Sequence, residues 1–265
     1  RRYKKLLAWT LYQRRDLLNC ACLHATSESE VEQFRRLGFR QPVVLLPNGV
    51  TQPSWLRFPE GGASGEVRKE REILFLSRIH PVKGLPHLIE AWQQVVRPGW
   101  RLRIVGADEG GHKNRIHKLV VRHRLQRSVD ICEAVHSDKK WTLLHNADLV
   151  VLPSFSENFG IVVAEALAVG TPVITTTGTP WSKVISKRCG WYVEPSVDGF
   201  VKALRDAMDQ PTEALREMGR RGQKWIGEDF SWPDIGEKMI SAYELVLGQG
   251  NRVEWLRTVQ HRDAA

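Results

Sequence analysis

From Glu72 onward, short aliphatic and β-branched runs alternate with amphipathic stretches, and this alternation constrains the fold more than any other feature of the 265 residues. Predicted strands fall at 73–77, 101–105, 129–132, 148–152, 172–176 and 191–193. Helical patterns occupy 85–96, 113–123, 139–145, 160–169 and 181–186 between and after them. Strand, helix, strand at this spacing predicts parallel βαβ units and an α/β fold with a doubly wound, mostly parallel sheet. Three more helices follow at 198–209, 212–226 and 233–247, and the tail from Gly248 lacks an apolar pattern and is expected to fray.

The segment before Glu72 reads differently. A helix at 1–18, a strand at 21–26, a helix at 28–37 and a strand at 43–46 end at Pro47-Asn48-Gly49. Residues 51–71 carry Pro53, Pro59, Gly61, Gly62 and Gly65, a composition suited to an exposed connection, with 61–70 expected as a mobile loop. The division predicted is 1–50, a linker at 51–71, a main domain at 72–230 and a closing helix and tail at 231–265.

Charge and cysteines narrow the function classes. There are 39 Lys and Arg against 30 Asp and Glu, a formal charge of +9. The basic residues are spread along the chain, and their two clusters, 1–15 and 113–127, read as solvated helical faces. No nucleic-acid motif accompanies them, so no nucleic-acid partner is expected. The longest apolar stretches, 148–153 and 161–169, are far too short to span a membrane. Cys20, Cys22, Cys132 and Cys189 show no paired metal-ligand spacing and read as reduced cytoplasmic thiols. A chain opening on the basic residues after Arg1, with neither Met nor a signal peptide, reads as a fragment.

The chemistry concentrates in Pro153-Ser-Phe-Ser-Glu157-Asn158-Phe159-Gly160-Ile-Val-Val-Ala-Glu165-Ala-Leu-Ala-Val-Gly170-Thr-Pro-Val. A buried-looking strand runs into a polar turn and then a helix near Gly160. In an open parallel sheet, ligands lie beyond the carboxyl ends of the strands, where this turn falls. The helix start offers free N–H groups and positive dipole to a phosphate, and Gly160 lets an anion approach the backbone. Glu165 interrupts an otherwise apolar helix, and an unpaired carboxylate there costs roughly several kcal/mol. Ribose hydroxyls could serve it; a core Arg, or a nearby loop that it caps, is the alternative. Glu157 stands at the turn and Glu165 about one and a half turns into the helix, so both acids can face one cleft.

This Glu-x7-Glu arrangement resembles the donor-site signature of family 4 retaining glycosyltransferases. Two further blocks carry the resemblance: Ile73-Leu-Phe-Leu-Ser77-Arg78-Ile-His-Pro-Val-Lys83-Gly84 and Arg101-Leu-Arg-Ile-Val-Gly106-Ala-Asp-Glu-Gly110. The resemblance as a whole runs from about residue 25 to about residue 247. The resemblance implies a Rossmann-like half of a GT-B enzyme that transfers a sugar from a nucleotide sugar to a glycan or lipid-linked acceptor, with retention. It implies that Arg78 and Lys83 hold the diphosphate as it leaves, consistent with cations that stabilise a developing oxyanion without metal. Glu157 would bind hydroxyls of the transferred sugar and Glu165 the ribose. Gly106, Asn158, Phe159 and Gly160 complete the donor-binding candidates, and the base would lie near 132–135. No cofactor is implied beyond the nucleotide-sugar substrate, and no metal, since the short Asp-x-Asp motif is absent.

Departures from the family pattern are Ala134 in place of glycine, Asp108-Glu109 in the glycine loop, and Trp181 where relatives carry Glu. Trp181 suits either the sugar pocket or the core. The nine histidines, His80, His87 and His112 among them, are expected in surface or supporting roles. By the same resemblance, residues 1–50 are the trailing part of an N-terminal acceptor domain, and 231–265 return to it. Most of that domain is missing, so the chain alone would bind donor without transferring. The location implied is cytoplasmic, with peripheral contact at a membrane left open. The readings to set against this are another GT-B enzyme, such as an epimerase or phosphorylase, and a non-catalytic nucleotide-sugar-binding module.

Overall fold

The computed structural model describes residues 2–51, 70–135, 138–249 and 253–258; apart from Glu70, the loop expected at 61–70 lies outside them. Two units are present, residues 1–49 with 232–265, and residues 50–231. The chain opens with α1 (Arg2–Ala8), a π-turn (Trp9–Gln13), α2 (Arg14–Asn19), β1 (Leu23–Ala25), α3 (Glu28–Arg36) and β2 (Val43–Leu45). Next come β3 (Arg71–Leu76), α4 (Leu85–Val95), β4 (Trp100–Val105), α5 (His112–Arg122), β5 (Val129–Cys132), α6 (Asp138–Asn146) and β6 (Leu149–Val151). They are followed by α7 (Ile161–Ala168), β7 (Val173–Thr176), β8 (Gly190–Val193), α8 (Val197–Asp209) and α9 (Thr212–Asp229). The chain closes with α10 (Trp232–Val246) and β9 (Leu256–Arg257).

The larger unit is built on a six-stranded sheet in the order β5-β4-β3-β6-β7-β8, parallel throughout. The first strand of the unit, β3, therefore lies in the middle, and chain direction across the sheet reverses between β3 and β6. That reversal opens the crevice used for ligands in doubly wound sheets. Period-two alternation sends side chains to two cores. On one face, Ile73, Phe75, Leu102 and Ile104 meet Leu88, Ile89 and Trp92 of α4, Ile116 of α5, and Phe200 and Leu204 of α8. On the other, Leu74, Val105 and Val150 meet Leu144 of α6, Val163 and Leu167 of α7, and Trp225 of α9. Both faces being covered explains why the strands are aliphatic runs rather than alternating ones.

The smaller unit has three short strands in the order β1-β2-β9, with β1 and β2 parallel and β9 antiparallel. Its core gathers Leu23, Ala25, Val31, Phe39 and Val43, with Ala242 of α10 beside Val44 and Leu46 on the other face. Tyr3, Leu6, Leu7 and Leu11 stand exposed along the first helical segment.

Three sequence expectations are corrected. The tail does not simply fray, because Leu256 and Arg257 pair with Val44 and Val43, and Arg35 donates to the Arg257 carbonyl (3.0 Å). That tie joins residues more than 200 apart in sequence, which no local pattern announces. The helix at 1–18 holds a π-turn at Trp9–Gln13, where the Thr10 hydroxyl bonds the carbonyls of Leu6 (3.0 Å) and Leu7 (3.2 Å) in competition with the helix ladder. The helix expected at 181–186 is a single 3-10 turn at Ser182–Val184.

Candidate functional site

Loops leaving the carboxyl ends of β3, β6 and β7 meet where the sheet order reverses. The β3 loop is pinned by Ile79, which is fully buried and bonds Ala107 through its backbone N–H (2.8 Å). His80 then caps the 3-10 turn Pro81–Lys83, its Nδ1 accepting from the Val82 N–H (3.1 Å). Gly84 ends the turn at φ +68°, and a Cβ there would stand 2.0 Å from the Pro153 carbonyl oxygen. Only glycine lets these two loops touch. The contact is fastened by the Phe155 N–H donating to the Val82 carbonyl (2.9 Å).

This stitching carries Lys83 to Glu157. Their side chains are 9% and 12% exposed, and the ammonium bonds Glu157 Oε1. The Ser154 hydroxyl, wholly buried, donates to the same oxygen (2.6 Å). Two donors on Oε1 fix the carboxylate and leave Oε2 available to a ligand. The β7 loop supports the arrangement: Thr176 donates to the Ser154 carbonyl (2.5 Å), and the Glu157 N–H donates to the Gly178 carbonyl (2.8 Å).

Past Glu157, Asn158 is exposed and Phe159 turns into the core, its ring against Trp181 and Phe230. The Phe159 carbonyl accepts from Trp181 Nε1 (2.5 Å), and Trp181 is 2% exposed, so the two open roles of that tryptophan resolve to core packing. Gly160, at φ +74°, starts α7, which no side chain caps among the described residues. The N-terminal dipole of α7 is thus uncapped by side chains beside the Lys83–Glu157 pair.

The neighbouring loop after β4 is arranged otherwise. Gly106 lies so close to β3 that a Cβ would be 1.8 Å from the Ser77 carbonyl oxygen, so strand packing already accounts for the glycine. Asp108 caps α5 through the N–H groups of Gly111 (3.1 Å) and Lys113 (2.8 Å), spending amides that a phosphate would need. Arg78 is directed here: it stands largely in solvent and pairs with the half-exposed Glu109 (2.5 Å). Of the two settings expected for the histidines, surface or supporting, His112 does not take the first. It is buried, and burial first, then Arg115 and His80, hold its pKa below the ordinary histidine value. Near the expected base position, Cys132 and Val135 pack against the core and the exposed Glu133 pairs with Lys113.

Glu165 projects from α7 among buried aliphatic neighbours and is 13% exposed. Its partner is Lys140 of α6 (2.7 Å), whose ammonium also sits 4.6 Å from the Trp141 ring centroid. Neither Lys140 nor the supporting Ser154 and Thr176 was singled out from sequence. Lys140 lies in an ordinary basic-amphipathic helix, and nothing local marks which lysine will face a carboxylate 25 residues later. Ser154 had only its adjacency to Glu157 as a signal. Among the described residues, no group of three or more His, Cys, Asp or Glu side chains is placed to hold a metal ion.

Residues 61–225 match the sequence model of the family described as glycosyl transferases group 1. The chain belongs to this family. Among curated proteins it is 28% identical over 252 residues to the glycogen synthase of Mycobacterium tuberculosis (strain CDC 1551 / Oshkosh), covering 92% of this chain and 57% of that one. It is 33% identical over 197 residues to the D-inositol 3-phosphate glycosyltransferase of Gordonia bronchialis, covering 69% and 42%. This group 1 glycosyl transferase thus spans about half the length of the curated relatives it matches. Its fold is that of solved GT-B structures. Sucrose-phosphate synthase from Thermosynechococcus elongatus superposes with a TM-score of 0.74 at 22% identity, covering 92% of this chain and 66% of that one. HepE from Anabaena, in complex with UDP and glucose, superposes at 0.70 and 20%, covering 85% and 63%. Among the described residues, no helix is long and apolar enough to cross a membrane.

Proposed function

We propose that this chain is the donor-binding part of a retaining, family 4 glycosyltransferase that moves a hexose from a nucleotide sugar to a glycan or lipid-linked acceptor. The observation that carries the reading is the buried Lys83–Glu157 pair, braced by Ser154 at the sheet reversal beside the uncapped start of α7. A fixed carboxylate with one free oxygen suits sugar hydroxyls, and a helix start beside a lysine suits a diphosphate. Arg78 reaches the leaving phosphate by exchanging its solvent-exposed pair with Glu109, a weak interaction worth about 0–1 kcal/mol. Glu165 binds the ribose, with Asn158 lining the donor site and Phe159 and Gly160 contacting the donor through their backbone. Gly106 keeps the β4 loop against Ser77, on the side of the donor site that Arg78 comes from. HepE's UDP and glucose make UDP-glucose the first donor to try.

Residues 1–50 and 231–265 are, in this reading, the portion of an acceptor-side domain joined through 51–71 to the donor domain at 72–230. The apolar side chains exposed along the first helical segment support an acceptor-side partner surface there. The chain alone then binds nucleotide without transferring sugar. Thermal shift with UDP, GDP and ADP tests the reading: one of them raises the melting temperature of the native chain and not of Lys83→Ala. No shift with any nucleoside diphosphate removes the proposal, and sugar transfer by the isolated chain removes its second half.

A further inference from the structure

The ribose acid of the proposed donor site already holds a ligand, and the ligand is part of the chain. α7 buries Val162, Val163, Ala164, Ala166, Leu167 and Ala168, so Glu165 is its single charged side chain. A carboxylate that is 13% exposed requires donors, and Lys140 supplies one to Oε1 at 2.7 Å. Lys140 itself remains 32% exposed on a long flexible stem, and its ammonium already sits 4.6 Å from the Trp141 ring centroid, a contact that can hold it once Glu165 is released. A vicinal diol grips a carboxylate through both oxygens, and one is occupied in the nucleotide-free protein.

We propose that Lys140 is an internal stand-in for the ribose. It keeps Glu165 paired while the site is empty, yields the carboxylate to the ribose hydroxyls when they arrive while keeping its place by Trp141, and pairs again as the nucleoside diphosphate leaves. The latch lowers affinity for nucleotide, because part of the binding energy goes to displacing the ammonium. Lys140 is accordingly a positioning residue, and the inference rests on the assignment of Glu165 to ribose.

Calorimetric titration of the 265-residue chain separates the two ideas. UDP, GDP and ADP are titrated into the native protein, Lys140→Met, Lys140→Gln and Lys140→Arg, and the binding nucleotide is compared with its 2′,3′-dideoxy form. The latch predicts that Met and Gln each tighten binding of the parent nucleotide about five- to tenfold, the scale of one partly buried ion pair. Arg retains native affinity, and the dideoxy form gains nothing from any substitution. Unchanged or weaker binding to folded Met and Gln variants, with the native chain still discriminating against the dideoxy form, overturns the latch alone. A native chain that binds parent and dideoxy forms equally overturns the ribose assignment and the latch with it.

Discussion

Replacing Lys83 by methionine strands a carboxylate. Glu157 is 12% exposed and accepts from Lys83 and Ser154 on one oxygen. Removing one partner of a buried pair costs about 3–5 kcal/mol, since the remaining charge is left without compensation. Ser154 still donates, and a hydrogen bond to a charged group retains about 1.5–3 kcal/mol of stabilisation. The difference spans about 0–3.5 kcal/mol, and we expect a net loss for Lys83→Met of about 2–3 kcal/mol, in its upper half. In a domain of this size that lowers the melting temperature by roughly 4–12 °C. Urea unfolding followed by tryptophan fluorescence reads it directly, because Trp181 and Trp225 lie in the same core as the loops. Glu157→Gln keeps the shape and removes the charge, so the double variant Lys83→Met with Glu157→Gln recovers most of the loss. A coupling energy of about 2 kcal/mol is expected from the cycle. Additive effects, with coupling below about 0.5 kcal/mol, would refute the claim that these two residues act as one buried unit.

Gly84→Ala forces a Cβ to within 2.0 Å of the Pro153 carbonyl oxygen at φ +68°, and a loss of about 2 kcal/mol or more by urea unfolding is expected, with nucleotide binding reduced. His112 is held below its ordinary pKa chiefly by burial, so the unfolded chain takes up its proton first as pH falls. Stability from this residue is thus full above about pH 7 and declines below the unfolded value of about 6.5; His112→Gln should flatten the urea midpoint between pH 5 and 7.5 relative to the native chain. Burial pushes the Cys189 thiol up to about 12, so a thiol reagent at pH 8 should modify it only on unfolding, while half-buried Cys20 and Cys132 react earlier.

Much of this protein was legible in its sequence because the larger unit is a covered parallel sheet. Strands buried on both faces must be aliphatic runs, and crossover helices must be amphipathic, so each of the six strands was marked locally and its edges moved by one or two residues at most. The turn from Pro153 to Gly160 was legible for the same reason, as polar residues between a buried strand and a helix. In the smaller unit, β1 and β2 fall within the strands expected at 21–26 and 43–46, whereas the two residues of β9 gave too little period to read. β9 in particular exists through its pairing with β2 and the Arg35 tie, not through a pattern of its own.

Local residue order therefore determined the βαβ framework, the family resemblance and the stretch that holds Glu157 and Glu165. Partnership among charges was decided only by the tertiary structure. Lys83 reaches Glu157 because Gly84 lets two loops touch, Arg78 turns to Glu109, and Lys140 comes to Glu165 from another helix. Periodicity reports which side of an element faces the core, whereas an ion pair depends on how separate elements approach one another. That approach is set by packing across the sheet, which no window of neighbouring residues contains.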